Sequence, residues 1–542
     1  MRPVLITTAE TFTAAVQDVL RRYFTNLDQP VFALVNLPEV VKGALFARYS
    51  RSAKSLRRLF LDEFVTELDI DGDHSVDATV GVARAEQLYE RVFLEYGDDS
   101  VAQLGGVHLA CEQASNLLTK ILERGRLMSY LEQSTRYIAY DARVEGRYRY
   151  FRDTDILSSN LGTRYVGDLD RLFDAYGELL PVMQEHFRAR YPKAPADSDM
   201  VWRQAIRAKA FDALRGILPA ASLSNVGIYG SGQAYEALLL RMRSHALPEA
   251  REYADIMLTE LRKVIPSFLQ RVDRADRGGV WSEYLETTRD AVAGVANELF
   301  VGDLDDTVAP RVELVEFDPE GEDKMIAAML YESLDLPESR ILDRVRVMAV
   351  DDKRRIVRAY VGDRTNRRHK PGRALERIDY RFDVLSDYGA FRDLQRHRMM
   401  TIEWQPLSPA HGYVLPEAIV DAGATEAFEG AMERSADLYD ALVDRFPRQA
   451  SYAVSLAYRI RYVMQMNARE AMHLIELRSS PQGHPEYRRV AQEMHHLIAD
   501  EAGHRLVAEM MTFVDHDDYE SDGLERLEAE RRAEQKRVAR AE

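Results

Sequence analysis

Two arginine-rich stretches carry the residue types that bind phosphate groups. The first runs from Arg124 to Tyr137 (RGRLMSYLEQSTRY), and the second runs from Gln395 to Pro406 (QRHRMMTIEWQP). A guanidinium group can bind phosphate oxygens through two parallel hydrogen bonds, and a serine hydroxyl adds another donor. Both stretches therefore suit a phosphorylated small molecule. A basic face exposed to water is the alternative interpretation, because most surface charge serves only to keep a protein solvated.

Three polar residues of the first stretch alternate along the chain. They are Glu132, Ser134 and Arg136. In an extended chain, alternate side chains lie on the same side. We therefore expect these three side chains to converge on one ligand.

Composition sets limits on the kind of protein. The chain has 542 residues, too many for one ordinary core, and its formal net charge of −17 argues against broad nucleic-acid binding. We find no apolar run long enough to span a bilayer and no N-terminal leader, so we expect a cytoplasmic protein without membrane contact. The single cysteine, Cys111, excludes an intrachain disulfide and a multi-cysteine zinc site.

The periodicity of apolar residues predicts a mixture of helices and short strands. Strands are expected at 31–38, 311–317 and 378–384, where apolar and polar residues alternate or a short apolar run ends at proline. Helices are expected over 39–96, from a turn at 97–100 to about Arg124, and over most of 165–216 and 424–514. The tail after Asp522 is polar all round, which indicates a solvated or fraying helix.

Internal landmarks repeat along the chain. Arg241 and Arg478, Glu249 and Glu486, and Arg251 and Arg488 are each 237 residues apart. The arginine-rich stretches repeat at a different distance, 272 residues, measured from Arg124 to Arg396. This pattern indicates a duplicated domain, with a first repeat over 1–271, a connector over 272–310, a second repeat over 311–515 and a charged helical tail over 516–542.

Together the two stretches resemble the R-H-R-x7-S signature of the flavin-dependent thymidylate synthases. The first copy keeps both arginines and the closing Ser134-x-Arg136-Tyr137, but Gly125 replaces the histidine. The second copy keeps Arg396-His397-Arg398, but Pro406 replaces the serine. The resemblance implies an α+β fold, in which two tandem, helix-rich domains each contain a small antiparallel sheet.

The resemblance also implies a division of roles between the repeats. In the family, matching residues bind the nucleotide substrate or the flavin, and Arg478 and Ser134 are the candidates for catalysis. The candidates for binding dUMP are Glu132, Ser134, Arg136, Arg215 and Arg478. The candidates for binding the flavin are Arg396, His397, Arg398, Asn467, Arg469 and His473. The two sets are complementary, so we expect one composite site shared by both repeats.

The implied reaction is the conversion of dUMP to dTMP. Family practice implies FAD as cofactor, with NADPH and methylenetetrahydrofolate as co-substrates, and no metal. Thymidylate synthases without flavin use a cysteine nucleophile, whereas Cys111 lies in an apolar segment and is expected to be a buried small hydrophobe. Family sites form between subunits of a homotetramer, so we expect a homodimer of this duplicated chain.

Two other interpretations stay open. The altered residues Gly125 and Pro406 favour a catalytically inactive paralogue that still binds a nucleotide or flavin. Three Glu-x-x-His spacings, beginning at Glu470, Glu493 and Glu501, are the pairing that di-iron helical proteins use. Ordinary pairing of side chains on a helix surface also explains these spacings.

Overall fold

The fold is described from a computed structural model. The structure describes residues 10–37, 45, 49, 52–63, 106–300, 310–517 and 523–541. The turn expected at 97–100 lies outside the described residues, as does most of the helical stretch expected over 39–96.

The described residues contain short strands and many helices. The strands are β1 (Val31–Ala33), β2 (Gly106–Ser115), β3 (Met128–Glu132), β4 (Leu223–Ser231), β5 (Val312–Phe317), β6 (Asp379–Asp387), β7 (Met400–Trp404) and β8 (Arg459–Asn467). The helices of the first 300 residues are α1 (Ala14–Leu20), α2 (Leu56–Glu63), α3 (Asn116–Leu122), α4 (Thr154–Leu157), α5 (Gly162–Arg190), α6 (Asp199–Leu214), α7 (Gly232–Arg243), α8 (Pro248–Leu261) and α9 (Val280–Leu299). The later helices are α10 (Gly321–Tyr331), α11 (Glu338–Arg346), α12 (Val350–Val361), α13 (Tyr388–Leu394), α14 (Glu417–Asp421), α15 (Thr425–Val443), α16 (Ala468–Arg478), α17 (Pro485–His496), α18 (Arg505–Met510) and α19 (Leu527–Ala541).

The strands form two antiparallel sheets with the same topology. One sheet has the order β1-β2-β4-β3, and the other has the order β5-β6-β8-β7. The expected α+β fold with two tandem domains is thus confirmed, and so are strands at 31–33, 312–317 and 379–387. Alternation explains the last of these, because every second residue from Tyr380 is buried in the core.

Four strands run directly into a helix through a residue that caps it. Ser115 ends β2 and accepts a hydrogen bond from the backbone N–H of Leu118 (3.0 Å), which caps α3. Asp387, Ser231 and Asn467 end β6, β4 and β8 in the same way. Capping satisfies backbone donors that the first helical turn leaves without partners. Since no loop intervenes, the start of each helix is fixed relative to its sheet.

The expected helix from the turn at 97–100 to Arg124 is wrong in part. Residues 106–115 form β2, and the helix begins only at Asn116. Pairing with β1 and β4 overrides the local helical pattern, and a bulge at Gln113 (φ 59°) absorbs an extra residue. Cys111 is completely buried in this strand, as expected for a small hydrophobe, and burial raises the pKa of its thiol.

The structure corrects the register of the second landmark. Ser231 and Asn467 occupy the same place, as the last strand residue and the helix cap, and their numbers differ by 236. The prolines that begin the next helices, Pro248 and Pro485, keep the difference of 237. The second repeat therefore has one additional residue between these points. The distance of 272 is confirmed, because Met128 and Met400 begin equivalent strands.

The chain divides into two compact units that do not follow the sequence contiguously. Unit 1 contains 1–177, 218–306 and 430–455, and unit 2 contains 178–217, 307–429 and 456–542. Each unit thus includes a segment of the other repeat. Two residues show the consequence. Tyr452 of the second repeat lies in unit 1, and Arg215 of the first repeat lies in unit 2.

The charged tail is not a solvated helix. Its helix, α19, packs on α6, and Arg531 forms two hydrogen bonds with the buried carboxylate of Asp197 (2.6 and 3.0 Å). Lys209 of α6 also donates a hydrogen bond to the backbone oxygen of Gly523 (2.8 Å). Since α6 leads directly into Arg215, the tail supports the helix that places this arginine.

Among the described residues, none of the helices combines the length and apolar character that crossing a membrane requires.

Glu249 provides a pH-dependent test of unit 1. It is fully buried, and it accepts hydrogen bonds from Ser115 Oγ (2.6 Å) and Tyr452 Oη (2.7 Å). Burial raises its pKa to about 7, despite these bonds. A raised carboxyl pKa gives stability that is present below the unfolded-state pKa and lost as pH rises towards 7.

We therefore expect Glu249→Gln to gain about 2 kcal/mol relative to wild type between pH 5 and pH 8. Urea unfolding at several pH values measures this difference. The exposed Glu283→Gln is the control and should show a difference that does not vary with pH. A pH-independent difference for Glu249→Gln would contradict the prediction.

Candidate functional site

Three arginines of unit 2 converge on Asp393, near the end of α13. Arg215 donates from Nη1 to Asp393 Oδ2 (3.3 Å), and Arg396 binds the other carboxylate oxygen. Arg478 donates from Nη2 to the backbone oxygen of Asp393 (2.6 Å). Arg215 is only 5% exposed, and its Nη2 has no hydrogen-bond partner among the described residues. One carboxylate does not balance three guanidinium groups, so the cluster can accept a further anion.

His397 connects this cluster to α16. Its Nδ1 lies 3.0 Å from Glu470 Oε1, and its Nε2 accepts a hydrogen bond from Arg478 Nε (3.0 Å). Burial, together with Arg478 and other nearby cations, holds the pKa of His397 well below its usual range. The imidazole is therefore neutral at physiological pH.

Positive charge dominates the surroundings of His397. Burial raises the pKa of Glu470 to about 7, while Lys370, Arg469 and Arg398 oppose that shift. Burial and the neighbouring cations lower the pKa of His473 to about 4. An anionic group such as a pyrophosphate suits this environment better than a cation does.

Two of the expected flavin residues have structural partners. Asn467 caps α16 by accepting a hydrogen bond from the backbone N–H of Glu470 (3.0 Å). Arg469 donates from Nε to the backbone oxygen of Pro371 (3.0 Å) and pairs with Glu376 (3.2 Å). The structure thus gathers all the expected flavin residues at the start of α16 and the turn before β7. Arg398, the last of them, is exposed.

The expected nucleotide residues of the first stretch lie in unit 1. The extended conformation predicted for 132–136 is wrong, because β3 ends at Glu132 and a turn follows. Glu132 is buried and forms an ion pair with Lys120 (3.1 Å), so it does not share a face with the other two residues by strand alternation. Ser134 Oγ accepts the backbone N–H of Arg136 (3.2 Å), which places these two residues on one tight turn.

The first repeat does not reproduce the His397 constellation. Gly125 occupies the place of His397, and a Cβ atom there would lie 2.6 Å from the hydroxyl of Tyr130. That hydroxyl donates to the backbone oxygen of Gly125 (3.1 Å). With the register of 236, Ala234 and Ala237 replace Glu470 and His473. Tyrosine thus fills the space in unit 1 where unit 2 has an imidazole.

A cavity of about 120 Å³ lies beside Arg215 in unit 2. Asp387 and Glu486 line it together with Arg215, and aromatic rings of α5 complete one wall. Burial raises the pKa of Asp387 to about 7, and Arg215 opposes the shift.

Sequence reasoning missed two members of the cluster. Asp393 precedes Arg396 by three residues and Glu470 precedes His473 by three residues, spacings that place both members of a pair on one helical face. Those spacings were the available signal, and Glu470 had indeed been considered as a metal ligand. Neither spacing reveals the partners from other elements, Arg215 and His397.

The three Glu-x-x-His pairs do not form one metal centre in the described residues. Glu493 is bound to Arg489 (2.8 Å), and His504 lies against Tyr380 Oη (2.8 Å). The one set of three potential ligands that the described part of the chain brings together is His397, Glu470 and His473, with ligand atoms within 4.8 Å of one another.

Comparison with known proteins connects this geometry to a family. A profile of the family described as thymidylate synthase complementing protein matches residues 45–267 and 313–502. The two matched regions correspond to the two repeats, which confirms the tandem duplication.

Similar proteins extend along nearly the whole chain. A UPF0159 protein of Chlamydia pneumoniae is 40% identical over 487 residues, covering 89% of this chain and 91% of the relative. A UPF0159 protein of Chlamydia muridarum is 39% identical, covering 96% and 98%. A third, from Thermoplasma acidophilum, is 32% identical, covering 90% and 97%.

The arginine cluster predicts a large effect of Asp393→Ala on stability. Removing the carboxylate leaves Arg215 buried without its ion-pair partner, and we expect a loss of about 3 kcal/mol. Urea unfolding of the full chain measures it. Asp343→Ala removes the exposed partner of Arg346 in the same unit and should leave stability within error of wild type. Equal effects of the two substitutions would contradict this account.

Proposed function

The chain belongs to the thymidylate synthase complementing protein family, and we propose that it is a flavin-dependent thymidylate synthase. It converts dUMP to dTMP, with methylenetetrahydrofolate as the carbon donor and NADPH as the reductant. One observation carries the proposal. Arg215 of the first repeat and Arg396 and Arg478 of the second repeat converge on Asp393 in unit 2. Residues assigned to the nucleotide and to the flavin therefore share one cluster.

The proposed nucleotide site uses charge and hydroxyl groups from both repeats. Arg215 and Arg136 supply cations for the phosphate, and Ser134 supplies a hydroxyl. Arg478 contacts the pyrimidine ring. Glu132 is proposed to support this site indirectly, because its carboxylate pairs with Lys120.

The residues of unit 2 fit a flavin dinucleotide. Arg396, Arg398 and Arg469 provide cations for its pyrophosphate, and the neutral His397 can stack on or hydrogen-bond to its ring system. Asn467 and His473 border the same surface. The flavin, when bound, supplies the hydride transfer that a chain without a nucleophilic cysteine lacks. The protein residues hold the cofactor, orient the nucleotide and exclude water.

The equivalent surface of unit 1 does not fit the cofactor, because Tyr130 fills the space beside Gly125. We therefore propose one composite site for each chain. A homodimer of this chain would carry two such sites and would correspond to the homotetramer of the single-repeat enzymes. Both ligands are small molecules, and the proposal requires neither nucleic acid nor a membrane.

A second candidate is a binding protein of the same family that performs no chemistry. The altered residues favour it, since Gly125 and Pro406 each remove a group that the single-copy enzyme uses. Bound flavin with no oxidation of NADPH in the presence of dUMP and methylenetetrahydrofolate would favour this candidate over the enzyme.

We expect purified protein to bind one FAD per chain and to oxidise NADPH when dUMP and methylenetetrahydrofolate are present. The reason is that only the second repeat retains the constellation around His397. The ratio of flavin absorbance to protein concentration measures the stoichiometry, and product analysis for dTMP tests the reaction. Two flavins per chain would contradict a single composite site, and retained flavin without dTMP would contradict the enzyme.

Single substitutions should separate the two ligands. Arg398→Ala should weaken flavin binding by at least tenfold because a charge-assisted contact is lost, and Arg136→Ala should weaken dUMP binding and spare the flavin. The duplication offers a matched control, since Arg126 is the first-repeat counterpart of Arg398. Arg126→Ala should leave flavin affinity unchanged. If Arg398→Ala and Arg136→Ala reduce both affinities equally, the proposed division between repeats is wrong.

A further inference from the structure

Glu470, His397 and Arg478 form a continuous chain of hydrogen bonds in unit 2. Glu470 Oε1 lies 3.0 Å from His397 Nδ1, and Arg478 Nε lies 3.0 Å from His397 Nε2. Arg478 Nη2 also donates to the backbone oxygen of Asp393 (2.6 Å). The guanidinium of Arg478 is thereby held at two of its nitrogens.

The chemistry of the end groups fixes the direction of this chain. A guanidinium group can only donate hydrogen bonds, so His397 Nε2 must be the acceptor. The proton of the neutral ring is then on Nδ1, and the carboxylate of Glu470 accepts it. The partner of one ring nitrogen decides the state of the other. Without Glu470, a ring protonated at Nε2 would direct its N–H at the N–H of Arg478.

We propose that Glu470 is a positioning residue that acts on Arg478 through His397. Its carboxylate holds His397 as the Nδ1–H tautomer, and that tautomer orients the guanidinium of Arg478 towards the pyrimidine ring of the substrate. The effect on substrate rests on the proposed function, whereas the tautomer does not.

Burial and comparison of the repeats support this role. His397 is 6% exposed and Glu470 is 9% exposed, so water does not compete for their hydrogen bond. The first repeat has Gly125 and Ala234 in these places, and it therefore has no equivalent support for its own arginine. The chain distinguishes the repeat proposed to hold the reacting ring from the other.

A metal ion is the competing occupant of His397, Glu470 and His473. The hydrogen bonds argue against it, because Nδ1 carries a proton while Nε2 accepts from Arg478, and neither nitrogen has a lone pair free for a metal. The nearby cations Lys370, Arg469 and Arg398 oppose a further positive charge. Zinc binding is therefore the alternative outcome of the experiment.

The first experiment observes the tautomer directly. Full-length protein labelled with 15N-histidine is studied by NMR spectra that correlate ring nitrogens with ring protons, and the His397 signals are assigned by their absence in His397→Gln. We expect the Nδ1–H tautomer in wild type and in Glu470→Gln, whose amide oxygen can replace the carboxylate oxygen. We expect its loss in Glu470→Ala. A wild-type ring protonated at Nε2, or a ring that shifts on addition of stoichiometric zinc, would overturn the proposal.

The second experiment measures the consequence for substrate. In flavin-loaded protein, Glu470→Ala should lower kcat/KM for dUMP by roughly tenfold to a hundredfold, because a misplaced catalytic group is costly. Glu470→Gln should restore it to within about threefold. The control is Glu476→Gln, on the same helix, where the carboxylate pairs with Arg364 (2.6 Å). It should reduce stability without changing the tautomer or kcat/KM.

The two experiments separate failure of this inference from failure of the proposed function. If wild type forms no dTMP but His397 is the Nδ1–H tautomer and depends on Glu470, the proposed function fails and the positioning of Arg478 stands. If wild type is active and Glu470→Ala loses no more kcat/KM than Glu476→Gln, the inference fails and the proposed function stands.

Discussion

The gathering of three guanidinium groups around Asp393 is the constraint on which the candidate site depends. One carboxylate cannot neutralise Arg215, Arg396 and Arg478, and Arg215 is almost completely buried. Such an arrangement is stable only if each arginine finds further acceptors or if an anion completes the cluster. It also requires Arg215 to come from the other repeat, which the exchange of residues 178–217 into unit 2 accomplishes.

Duplication explains why one repeat can lose groups that the other keeps. Both repeats retain the arrangement of strand, capping residue and helix, so the framework that would hold a site survives in each of them. The first repeat has lost the polar groups on that framework, and Tyr130 occupies the space beside Gly125. In the exchanged segments, Tyr452 contacts Glu249 in unit 1, while Arg215 faces carboxylates in unit 2. Divergence has therefore changed side chains while the topology stays the same.

Sequence patterns predicted what depends on local spacing. The α+β class, the strands beginning near 312 and 379, and the repeat distance of 272 are confirmed. Patterns failed where distant partners decide the outcome, as for Cys111, which pairing of β2 with its neighbours places in a strand. Glu132 was expected beside Ser134, but its carboxylate pairs with Lys120 of a preceding helix. The ligand roles of the candidate residues stay predictions, although the structure brings most of them together.

The most direct test of one composite site is the number of dUMP molecules that flavin-loaded protein binds, measured by equilibrium dialysis on wild type and on Arg215→Ala. Arg215 belongs to the first repeat by sequence and to the second unit by structure, so it reports on the sharing itself. The account predicts one dUMP per chain in wild type and none at the same concentration in the variant. Two per chain, or a variant that binds as wild type does, would contradict it.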